Sequence, residues 1–173
     1  MVLKNIFGLV FILFFVISGL TDKLQKKVDK VITSTFEVEV FSMQPKIVSQ
    51  DIELPSEFSN NTFFEIKNND TLLGYAYVSK APSKTDEFDY LIVFDADLVI
   101  MTSKVLVYRE DYGGEIGSKR WLKQFVGKST SDDLVYGANI AAISGATISV
   151  RSMTNAVNNV LKSIKILQHK NLL

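Results

Sequence analysis

From Val150 onward, apolar residues recur every three or four positions: Val150, Met153, Val157, Val160 or Leu161, Ile164 and Leu167. Arg151, Asn155, Asn158, Asn159 and Lys162 fall between them. That spacing places one apolar face on a helix, and it predicts a helix through Leu167 with Thr147 in its first turn and the five polar residues facing away from the core. A shorter pattern of the same period, Leu24, Val28, Val31, Ile32, Thr35 and Phe36 with lysines on its other side, predicts a helix covering an edge of the core.

Between these helices the period changes. Segments 63–67, 72–80, 90–94 and 98–108 are rich in aromatic and β-branched residues and are bounded by turn formers, which predicts an antiparallel sheet. Asp95-Ala96-Asp97 separates two of those strands as a hairpin turn, because Asp side chains satisfy local backbone donors. The ligand spacing of a calcium loop is missing around it. Segment 118–127 reads as a short helix with Ser118 at its start, Trp121 and Phe125 four apart, and Gly127 just past its end. Residues 37–62, with Pro45, Pro55 and Ser59-Asn60-Asn61, predict one or two strands separated by loops. The fold class expected is α+β: an antiparallel sheet packed by helices, behind an N-terminal hydrophobic leader.

That leader is an uncharged apolar run over 6–17 preceded by Lys4 and followed by Ser18-Gly19. Its length fits a signal-peptide core better than a full membrane span, so residues 1–20 read as a signal peptide or membrane anchor and the chain as exported. If the segment is retained, Lys23, Lys26, Lys27 and Lys30 just beyond it argue for the opposite orientation. Residues 21–62 then supply an N-terminal helix and strand region, and 63–173 the domain core. A chain of 173 residues, 47% of them hydrophobic, keeps a single core. The 19 basic and 19 acidic residues balance and no basic stripe is present, which argues against nucleic acid as a partner. Cysteine is absent, which excludes disulfides, thiol catalysis and Cys-ligated metal clusters. His169, the single histidine, lies beyond the helical pattern, so no Ser-His-Asp or metal site can be assembled. Chemistry in this chain falls to a cofactor.

The candidate chemistry sits at the entrance of the C-terminal helix, in Ser144-Gly145-Ala146-Thr147-Ile148-Ser149. Small residues let a ligand approach the backbone, hydroxyls supply donors, and the first unpaired N–H groups of the helix attract an anion. An ordinary turn with Ser144 as its cap has the same composition. Further upstream, Gly113 and Gly114 allow close backbone approach to a planar group, with Glu110, Asp111 and Tyr112 flanking them; a solvated turn is the bland alternative. Trp121 offers a stacking surface and also suits the core.

The ordered series Gly74-Tyr75-Ala76-Tyr77-Val78, Phe94-Asp95-Ala96-Asp97-Leu98, residues 108–117, residues 121–128 and Ser144-Gly145-Ala146-Thr147 resembles the FMN-binding domain of the peripheral subunits of sodium-translocating NADH:quinone oxidoreductases and Rnf-type electron-transport complexes. The resemblance covers about residues 60–165. It implies FMN as cofactor, joined by a phosphoester to Thr147 through the action of a separate flavin transferase after export. It also implies a role as an electron carrier rather than a stand-alone enzyme, relaying single electrons through a semiquinone between membrane or envelope redox proteins, in the periplasm or on the outer side of the inner membrane. Cofactor-binding positions are Thr147, Ser144, Gly145, Ala146, Ser149, Glu110, Gly113 and Gly114, with Lys119, Arg120 or Arg151 as candidate stabilisers of reduced flavin. The chain departs from the family pattern at Ala141, where an aspartate usually stands, and in Glu110-Asp111-Tyr112-Gly113, where the family often has Glu-Thr-Pro-Gly. The alternatives are a non-redox envelope module holding a phosphate or other anionic ligand at the same helix entrance, or a structural domain that binds nothing there.

Overall fold

Period-two alternation sorts the strand side chains onto two faces, and helices cover both. The computed structural model describes residues 20–48 and 52–173, so all of the expected leader except Leu20 lies outside the described residues. In chain order the elements are α1 (Asp22–Phe36), β1 (Ser42–Pro45), β2 (Phe63–Asn68), β3 (Thr71–Pro82), β4 (Glu87–Asp95), β5 (Ile100–Val107), α2 (Lys119–Leu122) and α3 (Thr147–His169). The five strands form one antiparallel meander in the order β1-β2-β3-β4-β5. Among the described residues no helix is long and apolar enough to cross a membrane.

Phe63, Tyr75, Tyr77, Tyr90, Ile92 and Phe94 point to one face, where they meet Val150, Met153, Val157, Leu161 and Ile164 of α3 and Trp121, Leu122 and Phe125 of the α2 region. Phe64, Ile66, Ala76, Val78, Leu91 and Val93 point to the other, where Val28 and Ile32 of α1 cover them. The N-terminal helix therefore covers a face of the sheet, not an edge: its apolar stripe needs a surface as wide as itself, and β4 and β5 provide one. With both faces covered, β4 is buried without interruption from Phe88 to Phe94.

Three of the boundaries that differ from the sequence pattern have a visible cause. Strand β4 starts at Glu87 because buried Asp89 pairs with Arg109, so a charged position that reads as a turn former belongs to the ladder. Strand β5 starts at Ile100 because the Asp95 carboxylate accepts from the Asp97 and Val99 amides, which closes the hairpin before the strand begins. The helix after Ser118 is four α-helical residues followed by a 3₁₀ turn over Lys123–Phe125. Gly74 is required where β3 passes β4: a Cβ there would stand 2.0 Å from the Phe94 carbonyl oxygen.

On α3 the expected core positions are all buried, and Asn158 joins them. The helical period sets it on the polar side, but its Oδ1 accepts from the Leu134 amide at 3.1 Å, so the polar side chain is buried with a partner. Arg151, Asn155 and Lys162 are exposed and Asn159 is half-buried.

Candidate functional site

The entrance of α3 is open to an anion. Ala146 occupies the N-cap position, supplies no side-chain acceptor, and is followed by a first turn without an acidic residue. The first amides of the helix thus keep their unpaired donors and the positive end of the dipole unneutralised. Thr147 is the first helical residue and is exposed; Ser149 is buried. Lys84, Tyr108, Glu110, Tyr112, Gly145, Ala146, Thr147, Ile148 and Ser149 together line a cavity of about 540 Å³. That size lies within the roughly 300–1,000 Å³ of small-molecule sites.

The wall opposite the helix comes from the chain leaving β5. Tyr108 donates its hydroxyl to the Tyr112 carbonyl at 3.1 Å and lies 3.0 Å from Ser149 Oγ. Gly113 takes φ 82° and packs behind Ala146: a Cβ on it would come within 3.0 Å of Tyr108 Oη and 3.2 Å of Ala146 Cβ. The glycine is therefore needed both for its backbone conformation and for the close approach of loop to helix.

Glu110 lines the cavity, yet its carboxylate is engaged elsewhere. It accepts from Ser83 Oγ at 2.6 Å, the Thr85 amide at 2.6 Å, Thr85 Oγ1 at 2.8 Å and the Asp86 amide at 3.1 Å. These bonds, led by that from Ser83, hold its pKa down at about 2. The β3–β4 turn is thus fastened to the loop that follows β5.

Of the positions singled out in the sequence, Thr147, Gly145, Ala146, Ser149 and Glu110 share this cavity, and Gly113 supports it from behind. Ser144 and Gly114 are not among its lining residues; Gly114 opens a 3₁₀ turn over Gly114–Gly117. Lys119, Arg120 and Arg151 are not among them either. Arg151 lies over the Tyr136 ring at 5.0 Å, and Arg120 lines a separate groove with Ala141. Trp121 is a core residue, edge-on to Phe125, and its indole N–H donates to the Ala141 carbonyl at 2.7 Å. The Ala141 amide donates to Gln124 Oε1 at 2.8 Å, so both polar groups of that residue are gripped from the α2 region while its side chain stays exposed. Sequence reasoning missed Lys84 and Tyr108 as cavity residues. Tyr108 was readable only as the last residue of a strand, and Lys84 as one charge in a polar turn.

A helix entrance with free amides, flanked by hydroxyls and small residues and walled by two tyrosines, gives this α+β domain a cavity that can receive a phosphorylated, partly planar ligand. The family model described as FMN-binding domain matches residues 84–162, which begins at the cavity's own Lys84 and runs into α3. Residues 84–162 belong to the FMN-binding domain family, and FMN is the cofactor of this flavoprotein. Comparison with curated proteins gives no match. The residues present fit the group: donors for a phosphate at the α3 entrance, a glycine where a Cβ would intrude on the wall, and a cavity of adequate size.

Proposed function

We propose that this chain is an exported electron carrier whose FMN is linked by a phosphoester to Thr147, and that it passes electrons between membrane or envelope redox proteins on the periplasmic side. The observation that carries this reading is the position of Thr147: an exposed hydroxyl on the first residue of an uncapped helix, inside the cavity and inside the span that matches the family. Bound FMN supplies one-electron chemistry that no side chain of this protein offers. The chain's own residues bind and orient. Amides of the first α3 turn hold phosphate oxygens, Gly145 and Ala146 leave the approach clear, and the Tyr108–Ser149 contact keeps wall and helix in register.

Attachment requires a flavin transferase and an activated FMN ester. As the bond from Thr147 Oγ1 to phosphorus forms, the bond from phosphorus to the ester's leaving group breaks, and the hydroxyl proton departs with that group. The net addition is one FMN less one water. Ala141 stands where the family's usual aspartate would, so recognition by the transferase depends on the remaining motif, Ser144 to Thr147.

The test is intact mass and in-gel flavin fluorescence after denaturation, on full-length protein coexpressed with a flavin transferase. Wild type is expected to keep its flavin, Thr147→Ala to lose the added mass with melting unchanged, and Thr147→Ser to retain part of it. Flavin that leaves wild type on denaturation would remove the covalent link from the reading. Colourless wild type would remove the carrier role as well.

A further inference from the structure

Four hydrogen bonds to one carboxylate are more than a surface turn needs. The turn between β3 and β4, residues 83–86, gives Glu110 the Ser83 hydroxyl, the Thr85 amide and hydroxyl, and the Asp86 amide. Lys84 is the one residue of that turn that gives Glu110 nothing, and it lines the cavity that holds Thr147. Neighbouring cations are otherwise occupied: Lys80 pairs with Glu87, Arg109 with Asp89, and Arg151 lies over Tyr136. Lys84 is absent from the ion pairs of the described residues. It is the only cation among the cavity's lining residues, and the only carboxylate there, Glu110, is already held by the turn.

We propose that Lys84 is the cation that stabilises the negative charge FMN gains on reduction, and that Glu110 is the positioning residue that holds the Lys84 turn against the cavity. This rests on the reading of the cavity as the flavin site. The phosphate does not need Lys84, because the α3 entrance supplies amide donors and a favourable dipole. Each electron delivered by a lower-potential redox partner adds one negative charge to FMN unless a proton follows, and an ammonium in the same cavity favours the charged form. Glu110 acts through geometry: without it the turn loses four bonds and Lys84 loses its fixed place.

The experiment is a spectroelectrochemical titration of the flavin absorbance in full-length, FMN-loaded wild type, Lys84→Met, Lys84→Arg, Glu110→Asp and the Lys84→Met/Glu110→Asp double variant. Lys84→Met is expected to shift the one-electron equilibrium about tenfold against reduction, a fall of about 59 mV. Lys84→Arg should stay near wild type. Glu110→Asp, which keeps the charge but cannot reach all four donors, should lower the potential in the same sense, and the double variant should match Lys84→Met alone, because removing the support of an absent charge changes nothing further. A loaded Lys84→Met protein at the wild-type potential overturns the proposal. A double-variant shift equal to the sum of the single shifts overturns the positioning role of Glu110. Thermal melting of the flavin-free proteins separates a loosened turn from a lost fold: Lys84→Met should melt like wild type. Wild type that carries no flavin at all would instead sink the flavin-site reading, a failure visible before any potential is measured.

Discussion

Tyr108 and Ser149 meet with 3.0 Å between their hydroxyl oxygens, which joins the chain leaving β5 to the first turn of α3 across 41 residues of sequence. Because Tyr108 gives its proton to the Tyr112 carbonyl, Ser149 is the donor in the pair. One tyrosine hydroxyl therefore ties the 108–113 loop to itself and to the helix entrance. Removing it with Tyr108→Phe should cost about 0.5–1.5 kcal/mol in urea unfolding. Ser149→Ala should cost less, since Tyr108 keeps its other partner. A double-mutant cycle should show coupling; effects that add within about 0.3–0.5 kcal/mol would mean the two hydroxyls act independently.

Gly113 and Gly114 look equivalent in the sequence and are not. Gly113 has φ 82° and two neighbours at 3.0–3.2 Å from any Cβ, whereas a Cβ on Gly114 meets nothing within 4 Å. Gly113→Ala should destabilise the domain by about 1–3 kcal/mol and reduce bound FMN, because strain and overlap push the loop off Ala146. Gly114→Ala should be neutral or stabilising by up to about 1 kcal/mol through the unfolded chain. Calorimetric melting and flavin content of the two variants, side by side, check this; equal losses would show that the loop does not depend on Gly113.

The buried face of α3 gives a sharper stability test. Val157 is fully buried between the sheet and the α2 region, and its side chain contributes about 1.5–3 kcal/mol by burial. Val157→Asp removes that and buries a carboxylate without a partner, a combined cost comparable with the 5–15 kcal/mol of a typical domain. Loss of the cooperative melting transition is the expected outcome. Asn155→Asp, on the exposed side of the same helix, should leave the transition in place.

Much of this architecture is legible in the sequence because burial repeats with a local period. Strands β2 to β5, the Asp95 hairpin and the apolar core positions of α3 follow from period two, period 3.6 and turn chemistry. What period cannot convey is pairing across the chain. Asp89 looks like a strand breaker until Arg109 is seen beside it, and Asn158 looks exposed until the Leu134 amide reaches it. The helix-entrance half of the site is a local motif and is readable, whereas the wall is assembled from segments 83–86 and 108–113. Lys84 carries no local sign of its place, because Glu110, 26 positions further on, fixes its turn.

Glu110 gives a pH signature whose sign follows from its partners. Its pKa falls from the ordinary 4.5 to about 2, first through the Ser83 hydroxyl and then through the Thr85 amide and hydroxyl and the Asp86 amide, all of which favour the ionised form. A depressed carboxylate contributes stability in full above its unfolded value and loses it as pH falls through its folded value. The advantage of wild type over Glu110→Gln should therefore be constant from neutral pH to about pH 5.5, shrink between 4.5 and 2, and vanish below. Asp132 and Glu65, whose pKa values are also lowered, are present in both proteins and cancel in the difference. Urea unfolding of the pair at intervals from pH 7 to pH 2 measures it. A difference that stays flat through that range would show that the turn is held by the shape of the side chain at 110, with no contribution from its charge.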